Sequence, residues 1–523
     1  MNVINNRLLA QDSITLPKVL CILFCVLSPA ITLADQDLPT TGLAARIAAL
    51  EAVDVQLGRA SQRVAANDWA AAATLFEAVI GSSVFDSLPV ARRHAIFTSA
   101  SGVALQQQDY KLAQNYSMRA CSMPNPTVVD WQVRLYASFS LPDMPDAAIA
   151  LTQIARVWPD EFADVKDDLI FRILGELAKS TPPPAESFEL MAALYEAHWK
   201  IGGFLEPSYT WRDYAIALVE RGRLLEAKKV ILRIKQPSVL ISMRVDRRFA
   251  AIATSAPALF DIDKAVDANI ATLRELCAQS PRSLRKFVEL TYALLNARRE
   301  EEVLALTESA IQKANDRSNG KSGYDDTNDD LIWVLNNRAI ALGRVGRWDE
   351  KLELLIRAAR RPEKGNLNVS QAINLGELYC ELERPKDALF AVVDVQDTSP
   401  YGQLQLEGVR LCAALQLADL EAKEAALKYL KEHQLDSTKT YQGALIEVGD
   451  IDAAAMLLIE RLRNPRSRSD VLVEIQTYNN PPALPYSAKL RERFQALLAR
   501  QDVQQAVRKV GKIETFNVAR ALE

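Results

Sequence analysis

Residue types that could carry out catalysis or hold a metal ion are scarce in this chain. Its 523 residues include three His and six Cys. No His has a second His or a Cys at i+3 or i+4, the spacing that places two metal ligands on one helix face, and no Gly-x-Ser-x-Gly nucleophile elbow occurs. Carboxylate runs such as Glu300-Glu301-Glu302 fall on solvated helix faces. We therefore predict no catalytic residue, no cofactor and no metal site, although a nucleophile assembled from distant residues remains an alternative.

Two short motifs resemble ligand-binding loops but lack residues that such loops need. Gly320-Lys321-Ser322 resembles the end of a phosphate loop, yet the first Gly of that motif is replaced by Asn315 and no strand precedes it. A calcium loop that starts at Asp325 would need Gly and Glu where the chain has Asp330 and Asn336. We interpret this acidic segment as a solvated loop and a helix cap.

The charge of the chain argues against a nucleic-acid partner. There are 62 basic and 66 acidic residues, for a net charge of −4, whereas phosphate binding depends on an excess of Lys and Arg. One basic patch could meet an anionic lipid or polysaccharide, and it consists of Arg461, Arg463, Arg466 and Arg468. Because these charges are separated, a solvated loop after a helix is the favoured interpretation.

The first 34 residues follow the plan of a signal peptide. A polar stretch with Arg7 and Lys18 precedes an apolar run, and Ala34 precedes an acidic start. The segment from Val19 to Ala34 has 16 residues and contains a proline, whereas a spanning helix needs about 20. We expect cleavage after residue 34, which would make the protein periplasmic or secreted, with no membrane span afterwards.

The remainder of the chain is predicted to form short helices in pairs. Apolar residues recur at i, i+3, i+4 and i+7, and a first helix with small residues leads through a polar turn to an Ala on a second helix. Clear copies start at Trp211, at Leu335 and at Ala372, where Leu375-Gly376-Glu-Leu-Tyr379 is followed by Ala388.

This pattern resembles the tetratricopeptide repeat, a helix–turn–helix with small residues where its two helices touch. The small residue of the second helix is assigned to nine positions, namely Ala72, Ala113, Ala148, Ala227, Val303, Lys351, Ala388, Ala425 and Ala454. From Ala72 to Ala454 there are 382 residues, or 38 for each of ten intervals. The units are thus longer than the about 34 residues of the family, and Lys351 stands where the family has Ala.

The resemblance implies an all-α fold, a right-handed α-solenoid of stacked helical hairpins, over residues 35–470. We place a subdivision at 180–187, a flexible loop at 313–326 and C-terminal capping helices at 471–523. Cys380 and Cys412 would lie in neighbouring repeats, where a disulfide needs a short distance between their Cα atoms.

The resemblance also implies binding, because similar arrays bind peptides or partner proteins on a concave face lined by the first helix of each pair. The candidate residues on that face are Arg212, Ile216, Trp333, Asn336, Arg344, Ile373 and Glu377. We expect a non-catalytic scaffold or adaptor for proteins of the cell envelope. The alternatives are a polysaccharide- or peptidoglycan-binding solenoid and an unrecognised enzyme. With 7% aromatic residues and no cluster of Trp along the chain, a protein partner is favoured over a glycan.

Overall fold

The computed structural model describes residues 40–316, 322–360, 368–396 and 398–519. The predicted signal peptide at 1–34 and part of the predicted loop at 313–326 lie outside the described residues. The chain divides into two compact units, and the boundary falls between Tyr214 and Ala215. We call residues 40–214 the N-terminal unit and residues 215–519 the C-terminal unit. Within the described residues, no helix combines the length and the apolar character that crossing a bilayer requires.

The N-terminal unit consists of helices, and neighbours in sequence pack against one another. Its helices are α1 (Thr40–Ala65), α2 (Trp69–Ile80), α3 (Val90–Gln106), α4 (Tyr110–Cys121), α5 (Val128–Ser140), α6 (Met144–Val157), α7 (Pro159–Ala163), α8 (Asp167–Leu177), α9 (Ala185–Glu196) and the first half of α10 (Ser208–Glu220). Its core includes Val53, Phe76 and Phe97, each at most 4% exposed.

The C-terminal unit continues the pairing of helices. After the end of α10 it contains α11 (Leu224–Ile231), α12 (Pro237–Val245), α13 (Ala250–Ser255), α14 (Ile262–Gln279), α15 (Leu284–Asn296), α16 (Glu300–Asn315), α17 (Thr327–Arg344), α18 (Trp348–Ala359), α19 (Val369–Glu381), α20 (Pro385–Ala391), α21 (Pro400–Leu417), α22 (Leu420–Glu432), α23 (Thr438–Val448), α24 (Ile451–Arg463), α25 (Pro465–Glu474), α26 (Pro485–Ala499) and α27 (Gln501–Val510). The prediction of an all-α array of stacked helical hairpins is confirmed, because successive helices pack pairwise in both units.

One turn recurs between the two helices of a pair. A residue with φ between 55° and 84° ends the first helix, and an Asp or Arg then caps the second. This left-handed residue is Gly in three such turns and another residue in five, namely Asn67, Gln108, Arg298, Glu383 and Ala418. The left-handed position reverses the chain after the first helix, and an Asp cap accepts a backbone N–H of the second, as Asp68 does from Ala71.

The residue four positions after each cap sets the register of the array. Its N–H donates to the carbonyl of the cap residue, as in Ala72 to Asp68. Seven of these residues are completely buried, and they are Ala72, Ala113, Ala147, Ala227, Val303, Ala388 and Ala454. Small side chains here let the helices approach closely. The assignment of Ala425 is wrong, because it is exposed and its turn places Lys423 at this position. The assignment of Ala148 is wrong by one residue, because Asp143 caps that helix and Ala147 donates to its carbonyl.

The C-terminal unit also closes on itself through contacts that are distant in sequence. Helix α12 packs against α25, and α27 packs against α24. Strands β1 (Thr477–Tyr478) and β2 (Thr515–Phe516) pair in parallel, and Arg244 Nε lies 2.8 Å from Glu514 Oε2. In a simple solenoid each repeat touches only its neighbours, so these contacts are an addition to the repeat architecture.

Candidate partner-binding site

Three of the predicted face residues are buried by their own surroundings. Arg212 is 5% exposed, its Nε donates to Asp213 Oδ1 at 2.9 Å, and its guanidinium lies over the ring of Tyr209. Ile373 is 6% exposed, within the apolar cluster of α19 and α21. The Arg344 side chain donates to the carbonyl of Leu295 and is 8% exposed. These three side chains therefore contribute to the packing of the fold.

Ile216 and Trp333 are half-buried. The indole of Trp333 packs against the cluster of Leu284, Val288 and Leu331 between α15 and α17. An aromatic residue on an apolar cluster contributes mainly to packing.

Arg344 also has a charged partner, since its Nη1 lies 3.7 Å from Glu300 Oε1, and desolvation lowers the pKa of Arg344.

The remaining two predicted residues lie on neighbouring first helices of their pairs. Asn336 Oδ1 on α17 accepts a hydrogen bond of 3.0 Å from Asn374 Nδ2 on α19. Glu377 follows Asn374 by one helical turn and is exposed. The hydrogen bond joins the polar surfaces of two successive repeats, so Asn336 and Glu377 belong to one continuous strip.

Glu377 lies near Glu381 and Glu447, and we call these three residues the carboxylate cluster. Desolvation by the surrounding helices, repulsion from Glu381 and repulsion from Glu447 raise the pKa of Glu377 to about 7, and Lys351 opposes this shift. Lys351 Nζ lies 3.9 Å from Glu381 Oε2. Because Glu377 keeps contact with solvent, water screens part of the repulsion.

The C-terminal helix α26 supplies donors to two members of the cluster. Tyr486 Oη donates to Glu447 Oε1 at 2.6 Å, and Ser487 Oγ donates to Glu381 Oε1 at 2.9 Å. Desolvation raises the pKa of Glu447, and the Tyr486 hydroxyl opposes that shift. Among the described residues, none donates a hydrogen bond to Glu377, so its carboxylate oxygens keep their capacity to accept one.

The sequence places Glu377 on the predicted face, but it does not indicate the groups around it. Lys351 was noted only as a departure from the repeat pattern, and the structure places its ammonium beside Glu381. Glu381 could have been found, because it follows Glu377 by four residues on the same helix face. Glu447 and Tyr486 come from segments far along the chain, and no local pattern connects them to α19.

Two members of the basic patch around Asn464-Pro465 are held within the fold, whereas Arg463 and Arg466 are exposed. Arg461 is 6% exposed and makes a bidentate pair with Glu474, with N–O distances of 2.7 and 3.0 Å. Arg468 donates to the carbonyls of Leu462 and Arg463. The interpretation as a solvated loop after a helix is therefore wrong for Arg461, because this residue lies on α24 and is covered where α25 packs against that helix.

Aromatic residues do cluster in space, although no Trp cluster exists along the chain. Trp199 and Trp211 have ring centroids 6.4 Å apart, and Tyr195 and Tyr214 pack beside them. Trp211 is fully buried and Trp199 is 6% exposed. A sugar-binding platform needs accessible rings, so these two indoles belong to the core of the N-terminal unit.

The acidic loop caps the start of α15, a helix other than the one that follows the loop. Asp326 accepts hydrogen bonds from the backbone N–H groups of Leu284 at 2.7 Å and Arg285 at 3.0 Å, at the start of α15. Asp325 pairs with Arg282. Among the described residues, no group of three or more His, Cys, Asp or Glu side chains is placed to hold a metal ion.

Comparison with known proteins identifies structural neighbours only. No family model matches the chain, and no curated protein matches it significantly. The TPR domain of P58(IPK) is 13% identical, with a TM-score of 0.20, and the match covers 79% of this chain and 99% of that chain. The APC/C hetero-tetramer Cut9–Hcn1 is 11% identical, with a TM-score of 0.27, covering 90% and 98%.

TM-scores this low mean that neither structure superposes on the chain as a whole. The fold assignment therefore depends on the helix packing described above. On that packing, the chain has an all-α fold of successive helical hairpins that resembles tetratricopeptide repeats.

Proposed function

We propose that the protein is a non-catalytic helical-repeat scaffold of the cell envelope, and that it binds a partner protein or peptide at the strip containing Asn336 and Glu377. One observation carries the proposal. Glu377 is exposed on the first helix of a repeat, and its carboxylate accepts no hydrogen bond from the described residues although three charged groups surround it.

The chemistry of the site favours a cationic or N–H group on the partner. A carboxylate that already faces two other carboxylates gains from a positive charge, and a charge-assisted hydrogen bond is stronger than a neutral one. Among the described residues, Lys351 is the cation that lowers the pKa of Glu377, and its ammonium lies 3.9 Å from Glu381. An Arg, a Lys or a chain amino terminus of the partner would satisfy Glu377.

The envelope location is supported by the order of residues 1–34, in which a charged flank, a short apolar run and a small residue succeed one another. Fractionation of cells that produce the tagged chain tests this part separately. Recovery in the periplasmic fraction, with an amino terminus near residue 35, is expected. Recovery of the uncleaved chain with the cytoplasmic proteins would contradict the location and leave the binding proposal to its own test.

The binding proposal is tested by charge reversal at the site. Cells producing C-terminally tagged wild type, Glu377→Lys and Glu424→Lys are crosslinked, and the captured proteins are compared by quantitative mass spectrometry. Glu424 is an exposed acid on α22 and serves as the matched control. A Lys at 377 can pair with Glu381 one turn away, so the variant should stay folded.

We expect one dominant partner with the wild type and the Glu424→Lys variant, and its loss with Glu377→Lys. Equal recovery with all three proteins would refute the role of Glu377. Recovery of glycan-linked material in place of a protein would instead favour the polysaccharide-binding alternative.

A further inference from the structure

Two buried thiols meet where helices α19 and α21 pack together. Cys380 is 4% exposed and Cys412 is 5% exposed, and both belong to one apolar cluster with Ala388 and Val409. Both are free cysteines. Buried Cys often serves as a small apolar residue, so the mutual placement of these two decides whether they can do more.

The two helices approach each other closely at this point. A Cβ atom on Gly376 would lie 2.9 Å from Val409 Cγ1, so the backbone of α19 nearly touches the side chain of α21. Cys380 follows Gly376 by one turn, and Cys412 follows Val409 by one turn. The cysteines therefore continue the same line of contact.

Direct contacts confirm the proximity. Cys380 Sγ lies 3.7 Å from the carbonyl oxygen of Val409. The Gln416 amide donates both to the carbonyl of Cys380 at 2.9 Å and to Cys412 Sγ at 3.3 Å. The Gln416 side chain thus contacts both residues, which places them near each other, as a disulfide requires.

We propose that Cys380 and Cys412 are a redox pair that forms an intramolecular disulfide between α19 and α21 when the chain folds in the presence of a disulfide oxidant. Two S–H bonds break and one S–S bond forms. The two protons and two electrons pass to the oxidant disulfide, which becomes two thiols. This inference does not depend on the proposed binding function.

The timing of the reaction follows from burial. The attacking species in disulfide exchange is the thiolate. Contact with Cys380 and desolvation raise the pKa of Cys412, so the folded, reduced protein holds few thiolates there and admits no oxidant. The bond should form during folding, and once formed it should resist reductants until the site opens.

Refolding provides the test. Reduced protein is refolded from urea in a glutathione–glutathione disulfide mixture, its free thiols are alkylated, and its peptides are mapped by mass spectrometry. Cys121 on α4 and Cys277 on α14 are half-buried free cysteines and act as internal controls. A Cys412→Ser variant is treated in the same way.

We expect a pair of peptides linked through Cys380 and Cys412, with a mass two hydrogen atoms below the sum of the two reduced peptides. Cys121 and Cys277 should be alkylated. The oxidised wild type should unfold several degrees above the reduced form, whereas Cys412→Ser should be insensitive to reductant. Alkylation of both Cys380 and Cys412 in the refolded protein would overturn the proposal. If refolding fails, the same map is made on acid-quenched protein directed to the periplasm, where free thiols at 380 and 412 would likewise overturn it.

Discussion

Replacing Gly376 by Ala is the sharpest test of the helix packing. Helix α19 passes α21 at this glycine, where a Cβ would lie 2.9 Å from Val409 Cγ1 and 3.0 Å from Val392 Cγ1. Val409 and Val392 are at most 2% exposed, and β-branched side chains have few alternative rotamers. The methyl group therefore cannot be accommodated by moving a flexible neighbour.

Two opposing effects set the magnitude. Overpacking in a close-packed interior costs about 1–3 kcal/mol, whereas Ala in a helix is favoured over Gly by about 1 kcal/mol. Gly408 on α21 provides a control, because a Cβ there would meet nothing within 4 Å. The propensity gain is common to Gly376→Ala and Gly408→Ala, so the difference between the two variants isolates the overpacking cost of about 1–3 kcal/mol.

Hydrogen exchange followed by mass spectrometry measures this difference locally in α19 and α21. A cost of about 1–3 kcal/mol corresponds to roughly 5- to 150-fold faster exchange in Gly376→Ala than in Gly408→Ala. Equal protection in the two variants would show that the helices do not meet closely at Gly376, and the reasoning would be refuted.

Three further predictions concern charged and hydroxyl groups. The pKa of Glu377 is raised from 4.5 to about 7, so the folded protein holds a proton that the unfolded chain loses, and stability should fall as pH rises between these values. The urea midpoint of Glu377→Gln should therefore exceed that of the wild type by more at pH 8 than at pH 5. An equal difference at both pH values would contradict the shift. Arg461→Met leaves Glu474 buried without its partner, so the free energy of unfolding measured in urea should drop by about 3–5 kcal/mol. A drop below about 1 kcal/mol would argue against a buried pair, since exposed pairs contribute about that much. Tyr486→Phe removes the donor to Glu447 and should weaken the docking of α26 by about 1 kcal/mol, seen as faster hydrogen exchange in residues 485–493, whereas unchanged exchange there would place that hydroxyl in solvent.

The repeat architecture was predictable because it depends on local sequence patterns. The helical periodicity, the polar turns and the small residue after each cap act within one hairpin, and Ala72, Ala227 and Ala388 are completely buried as the pattern predicts. Turns with Gly, such as Gly346, were visible in the sequence. Turns that use a left-handed Glu383 or Ala418 were not, because those residue types rarely adopt that conformation.

The surroundings of the site could not be predicted, because they depend on contacts between segments distant in sequence. Tyr486 reaches Glu447 only because α26 folds back onto α23. A periodic pattern states which face of a helix is apolar, but it does not state which distant helix covers the polar end of that face. Arg212 and Ile373 were placed on the open face for this reason, and both are buried.

Site-specific photo-crosslinking beside Glu377 tests the central claim most directly. A photoreactive amino acid replaces Ser370, which lies one helical turn before Asn374 on α19, in one variant and the exposed Glu424 in another, and Glu377 is kept in both. The account predicts one protein crosslinked from position 370 and none of that protein from position 424, and it predicts loss of the crosslink from position 370 when Glu377→Lys is added. Crosslinking of the same protein from both positions, or an undiminished crosslink in the presence of Glu377→Lys, would contradict it.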